Sequence, residues 1–390
     1  MTILLNEIKR HAPQPKLDPL HILMTADTIG GVWTYALELA RALAAWPITI
    51  TLAAMGRTPT AAQIAAVDAL PHVLLVSGDF KLEWMCDPWV DVARAGDWLL
   101  ELADALEPDL IHLNNYAHGD LPWQAPVLVV GHSCVLSWWQ SVKGEPAPPR
   151  WDRYRQEVTA GLQAADAVLA PTVAMLAALA EHYGPLPRSG VVANGRSGQR
   201  FSPAAKEPII FASGRLWDEA KNIAALTEIA PALPWPVYIA GNDEHPAGKQ
   251  MALPNVETLG YLSAAEMASW MGRAAVYALP AYYEPFGLSP LEAALSGCAL
   301  VLGEIPSLQE VWGDAAYYVP PEEPAALRAA LQELIEDEEL RKTMALRARS
   351  RALLYNPQQK AARYLSWYQS LIAIHGTDPV SKEFAPVCTS

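Results

Sequence analysis

Charge is scarce in this chain of 390 residues: only 18% are Asp, Glu, Lys or Arg, against 52% hydrophobic. Disordered chains have the opposite balance, so well-buried elements are expected. What charge exists runs negative, with 28 Lys and Arg against 42 Asp and Glu, a net of −14. A nucleic-acid partner needs a basic stripe to displace counterions, so none is expected. Strong binding to an anionic membrane surface is also unexpected, since residues 1–200 hold 14 basic and 20 acidic side chains. Cysteine is rare too. Cys86, Cys134, Cys298 and Cys388 form no Cys-x-x-Cys and no ladder of spacings, which fits buried or incidental thiols in a reducing compartment. The most apolar stretch, "AVLAPTVAMLAALA", has 14 residues and a proline, too short to cross a bilayer. No basic, then apolar, then small-residue leader opens the chain. A cytoplasmic protein is expected.

The length is too great for one ordinary core, so two domains are expected. Residues 1–20 read as a loose arm. From His21 onward, short apolar runs alternate with helical stretches: "HILMTAD", "ITITLAAM", "HVLLVSG", "LIHLNN", "PVLVVGHS", "AVLAPT" and "GVVANG". The polar segment "GRSGQRFSPAAKE" breaks the rhythm, which then restarts with "PIIFASG", "VYIAG", "VETLGYL", "AVYALPAY", "ALVLGE" and "YYVP". Continuous apolar runs between helices mean parallel strands buried on both faces. The pattern predicts an α/β chain of two doubly wound domains, residues 21–197 and 198–355. An amphipathic C-terminal helix follows at 356–375 and a polar tail at 376–390. In such sheets ligands bind at the carboxyl ends of strands, and two facing edges would form an interdomain cleft.

Three motifs fall at those strand ends. "TADTIGGVWTY" places Gly30 and Gly31 where a strand turns into a helix, a place for backbone to approach an anion. It lacks the Gly-x-Gly-x-x-Gly spacing of a dinucleotide site. "GRLWDEAKN" sets Arg215 and Lys221 on a loop opening a helix, either as a phosphate clamp or as ion-pair partners of Asp218 or Glu219. "YYEPFGLSPLEAALSG" puts Glu284 and Glu292 on either side of a rigid turn. Ser289 to Glu292 reads as a capping box, with Gly297 as a left-handed C-cap. Amides around Gly287, Leu288 and Ser289 would face a diphosphate, while carboxylates would grip sugar and ribose hydroxyls. A second capping box is read at Ser263 and Glu266.

These segments resemble the family-4 group of retaining nucleotide-sugar glycosyltransferases, which have the GT-B architecture of two Rossmann-like domains. "EPFGLSPLE" resembles their Glu-x7-Glu signature, "TIGGVWTYALELARAL" their glycine loop and first helix, and "PVLVVGHS" a strand ending in histidine. "VVANGRSGQRF", "GRLWDEAKN", "VYIAGND" and "SLQEVWGDAAYYVPP" extend the match along nearly the whole chain. Departures are Asn114 and Asn115 where the family often has a second histidine, and "EIPSLQE" at its Gly-Gly-x-Pro-Glu turn.

The resemblance implies that Arg215 and Lys221 bind the donor diphosphate, Glu284 the donor sugar and Glu292 the ribose. It gives Phe286, Gly287 and Leu288 backbone contacts beside the phosphates, and places Gly30 and Gly31 opposite them. His132 matches the histidine near the reacting sugar. Trp33, Asn115, Tyr116 and Trp138 are candidates for the acceptor side, where aromatic faces could stack on sugars. The implied reaction moves a hexosyl unit, with retention, from a nucleoside-diphosphate sugar to a hydroxyl. UDP-glucose is the favoured donor, GDP-mannose the next, and a soluble saccharide or small metabolite the acceptor. No cofactor is expected, and no Asp-x-Asp metal motif occurs. The C-terminal helix is expected to cross back to the first domain. A nucleotide-sugar epimerase or hydrolase of the same fold, or a silent partner protein, are the alternatives.

Overall fold

The structure, a computed structural model, describes residues 19–241 and 253–377. Most of the expected arm (1–18) and tail (378–390) lies outside the described residues. Each apolar run picked out above becomes one strand. Strands β1 (Leu20–Asp27), β2 (Ile48–Met55), β3 (Val73–Ser77), β4 (Leu110–Leu113), β5 (Val127–Val130), β6 (Ala167–Ala170) and β7 (Ser189–Val191) build the first sheet. Its order is β3-β2-β1-β4-β5-β6-β7, and its pairings are parallel. Strands β8 (Glu207–Ser213), β9 (Val237–Ala240), β10 (Glu257–Gly260), β11 (Ala274–Leu279), β12 (Ala299–Gly303) and β13 (Tyr317–Val319) build the second, in the order β10-β9-β8-β11-β12-β13. These pairings are parallel as well.

Parallel strands bridged by helices are covered on both faces, which is why their sequences do not alternate. All six residues of β11 are buried. Each sheet lies between two apolar clusters, one on either face. Cutting a fully buried leucine such as Leu300 back to alanine would cost about 2–5 kcal/mol.

Strand order reverses between β1 and β4 in one sheet, registered as Ile22 opposite Leu110, and between β8 and β11 in the other, with Val276 opposite Ile210. Those are the switch points at which doubly wound sheets open a crevice. The carboxyl ends there carry Asp27 and the glycine loop, Asn114, the Arg215–Lys221 loop and the Glu284 turn.

The helix Pro357–Thr377 leaves the second sheet and packs on the first domain's helix Gly31–Leu43. Its Ala361, Tyr364, Leu365, Tyr368 and Leu371 are buried in the same cluster as Leu39 and Leu43. The Lys360 ammonium sits 3.5 Å over the Tyr35 ring and donates to the Tyr35 carbonyl at 3.3 Å.

Candidate active site

The Glu284 turn is built by its own carboxylate. Glu284 Oε1 accepts the Gly287 amide at 3.0 Å, and Gly287 has φ of +90°, which only glycine adopts without strain. The helix Leu288–Leu295 therefore starts with Gly287 as its N-cap, two residues before the expected Ser289. This corrects the capping-box reading of Glu292. With the helix starting early, Glu292 lies beyond the first turn, and its Oε1 goes instead to Arg196 Nη2 at 2.6 Å. A guanidinium offers a charge-assisted bond that outcompetes a cap amide. At the other end Gly297 takes φ of +78°, with Gly297 N–H bonded to Ala294 O and Cys298 N–H to Ala293 O. That is the Schellman arrangement. The box at Ser263 and Glu266 is closed in both directions.

Lys221 and Glu284 meet: Nζ and Oε2 are 2.7 Å apart, with side chains only 14% and 15% exposed. Arg215 stays open to the cleft, its Nη2 bonded to Asp218 Oδ2 at 2.9 Å and its guanidinium 5.3 Å from the Trp217 ring centre. Asp218 is the junction of this loop. Its Oδ1 accepts the Ala220 amide and, from the other domain, Trp138 Nε1 at 3.0 Å. Burial works against its charge, but Arg215, Lys221, Trp138 and the Ala220 amide outweigh it and hold the carboxyl below its ordinary value.

From the first domain, Gly31 comes so close that a Cβ there would lie 3.9 Å from Leu288 Cδ1. The glycine loop thus faces the helix N-terminus of the second domain. Phe286 is 2% exposed and belongs to the core, meeting Tyr355 edge-on, so only its backbone is offered to a ligand. Gly30 is the extended N-cap of the helix Gly31–Leu43.

His132 is held by a chain of polar groups. Asn114 Nδ2 donates to the Thr25 carbonyl at 2.6 Å, which turns Asn114 Oδ1 toward His132 Nε2 at 2.8 Å. Nε2 must then carry the proton, leaving Nδ1 as the acceptor. Burial drives the imidazole down to about 3, with Lys360 and His112 adding to the effect, so it is neutral at physiological pH. Tyr35 packs edge-on against it, ring centres 4.3 Å apart.

The aromatic candidates divide. Trp33 and Tyr116 are buried in the first domain's two clusters, and Tyr116 donates its hydroxyl to Ser133 O. Asn115 is tied between Thr25 Oγ1 and His118 Nδ1. Trp138 alone reaches across the cleft. Beside it, the Tyr283 hydroxyl accepts the Cys134 amide and meets Ser137 Oγ at 2.8 Å. Glu310 caps the helix Val173–Tyr183 from the opposite domain, accepting the Val173 and Ala174 amides at 2.7 and 3.0 Å. An acid at a helix N-terminus is favoured by the dipole.

Sequence reading passed over Asp27, Glu38, Arg196 and Glu310. Asp27 accepts the Ile29 amide at 3.1 Å. Burial raises its carboxyl, opposed by the Ile29 amide, by Arg215 across the cleft and by the Gly30 amide. Its place just before the paired glycines was the available signal. For the others, no spacing marked them.

Arg215 and Lys221 thus stand beside the N-terminus of Leu288–Leu295, with the glycine loop of the first domain facing that helix. Cations beside a helix N-terminus suit an anionic group, and carboxylates suit hydroxyls.

The family model for glycosyltransferase family 4 matches residues 29–197, and that for glycosyl transferases group 1 matches residues 197–351. A glycogen synthase of Mycobacterium tuberculosis is 30% identical over 204 residues, covering 48% of this chain and 49% of that protein. The match thus spans about half the length of that relative. Sucrose-phosphate synthase of Thermosynechococcus elongatus superposes with a TM-score of 0.74 at 20% identity, over 91% of this chain and 100% of that one. HepE of Anabaena in complex with UDP-glucose superposes with a TM-score of 0.72 at 17% identity, over 90% and 100%. These neighbours share the fold: two Rossmann-like domains in the GT-B arrangement. With its two halves matched in turn from residue 29 to residue 351, the chain belongs to the family-4, group-1 glycosyltransferases.

Proposed function

We propose that the protein transfers a hexosyl unit from a nucleoside-diphosphate sugar to an acceptor hydroxyl, with retention and without a metal ion. The observation that carries this reading is the Lys221–Glu284 pair at the N-terminus of Leu288–Leu295, with Arg215 open to the same cleft. As the bond between sugar and phosphate breaks, negative charge grows on the leaving diphosphate. Arg215, Lys221 and the helix amides oppose that charge from fixed positions. Glu284 accepts a donor hydroxyl, and Glu292 does so for the ribose. His132, neutral with Nδ1 as acceptor, takes a hydroxyl proton of the donor sugar in a hydrogen bond. A front-side path, in which the leaving phosphate takes the acceptor proton, asks for no protein nucleophile. The complex of HepE with UDP-glucose supports a uridine-linked glucose donor. The acid-rich first domain supports a soluble saccharide or small-molecule acceptor.

The test is a panel of UDP- and GDP-sugars scored first by thermal stabilisation and then by turnover with soluble saccharides in excess EDTA. UDP-glucose should stabilise most, and the product should keep the anomeric configuration by NMR. An inverted product would refute retention. Activity abolished by EDTA and restored by a divalent cation would refute the metal-free reading.

A further inference from the structure

The linker between the two sheets carries a buried arginine that this reading leaves unused. Arg196 is 8% exposed and forks between the domains, its Nη2 2.6 Å from Glu292 Oε1 and its Nη1 3.3 Å from Glu38 Oε1. Glu292 lies on the helix that presents its N-terminus to the cleft. Glu38 lies on the helix that the glycine loop opens. The ring centre of Phe201 lies 5.3 Å from the guanidinium carbon. Only Oε1 of Glu292 is engaged; Oε2 makes no hydrogen bond or ion pair among the described residues. In the same linker, Arg196 Nε and Asn194 Oδ1 are buried and have no partner among the described residues.

A buried ion pair contributes little net stability over an apolar pair of the same shape, because desolvation offsets the attraction. Orphaned polar atoms in a buried site call for a polar occupant. The two facts together give this pair a task other than stability. We propose that Arg196 is a positioning residue of the donor site, holding Glu292 by one oxygen so that the other is aimed at the hydroxyls of the donor's ribose. The inference rests on the donor-site reading above and adds to it a residue from outside the turn.

The charges around the pair set its pH behaviour. Glu38 and Arg41 face it from Gly31–Leu43, Arg200 from the linker and Lys360 from Pro357–Thr377; Tyr277 of β11 is close enough to interact electrostatically with Glu292. Burial raises the Glu292 carboxyl, Arg196 is the main opposing charge, and Glu38 adds to the rise. Without Arg196 the carboxyl takes up a proton at a higher pH and stops being an acceptor of both ribose hydroxyls. Affinity then survives above the raised value and is lost as pH falls through it.

Binding of UDP and of GDP to the full chain is measured by calorimetry from pH 6 to 8.5, for the wild type, R196M, R196K, E292Q and R196M/E292Q. The wild type should keep its affinity for the preferred nucleotide to a lower pH than R196M does. R196M should bind it roughly tenfold or more weakly at the acid end of the range and recover as pH rises. R196K, charged but unable to fork, should fall between. In the E292Q background, R196M should add almost nothing. Equal affinity and equal pH dependence in R196M and the wild type would overturn the proposal. So would an R196M loss that is undiminished in the E292Q background. If R196M fails to fold, R196K decides, and wild-type affinity in R196K would reduce Arg196 to a structural part. A wild type that binds neither nucleotide would overturn the donor-site reading itself, and this proposal with it.

Discussion

Replacing Glu284 by Gln should separate binding of a nucleoside diphosphate from use of its sugar. The carboxylate has two partners, the Lys221 ammonium at 2.7 Å and the Gly287 amide at 3.0 Å. Gln can keep one of them and must turn an NH2 toward the other. The gross attraction between unit charges at that separation is about 6 kcal/mol at an effective dielectric constant near 20. Desolvation removes most of it, leaving a net cost of about 2 kcal/mol, typical of a hydrogen bond to a charged group. For domains of this size that lowers the melting temperature by about 4–8 °C. Turnover should fall by about 10²–10³, the usual cost of one preorganised electrostatic contact. Free UDP should bind as well as before, or better, because Lys221 no longer divides its charge between a carboxylate and the phosphates. Calorimetry with UDP and a coupled assay of UDP release read the two effects separately. Parallel losses in UDP affinity and turnover would refute the separation, as would turnover within about threefold of the wild type.

Cutting the chain after Pro357 removes the buried Tyr364, Leu365, Tyr368 and Leu371 from the first domain, about 1.5–3 kcal/mol each, so the whole protein should melt early. An unchanged melting temperature would contradict the packing seen at Tyr35 and Leu39. At Gly190 of β7 an added Cβ would come within 2.6 Å of the Trp367 ring, so Gly190→Val should lower stability in the full chain. The same substitution should cost little once the helix is removed. Burial pushes the Glu83 carboxyl up to about 7, opposed by the Ala117 and Tyr116 amides. A carboxyl raised in the folded state favours folding most below its ordinary value near 4.5, and that contribution is lost as pH rises through about 7. The melting temperature of the wild type minus that of Glu83→Gln should therefore fall between those values; a flat difference would exclude the shift. Anionic vesicles at physiological salt should not sediment the protein, given the acidic first domain. Headgroup-dependent sedimentation would overturn that expectation.

Thirteen strands were legible in the chain because parallel strands covered on both faces must be apolar throughout, and such runs need no partner to be seen. The resemblance to a glycosyltransferase family was likewise carried by local segments. The ends of β8 and β11 could be named as candidate ligand sites before any contact was known, since strand ends and helix starts are local features. What local sequence could not supply is which groups pair. Lys221 and Glu284 lie 63 residues apart, and nothing in either segment requires them to meet. Arg196 was visible as a basic residue in a polar linker, but its charge acquires a meaning only beside Glu292 and Glu38. The two Ser-x-x-Glu patterns show the division most directly. Ser263 and Glu266 are exposed and meet no competing group, so the local preference is realised as a closed capping box. Ser289 and Glu292 carry the same pattern in a half-buried place. There Gly287 starts the helix early and a guanidinium from another part of the chain claims the carboxylate. Sequence set the propensity in both; at Glu292 tertiary structure overrode it, because a buried charge goes to an opposite charge before it goes to an amide.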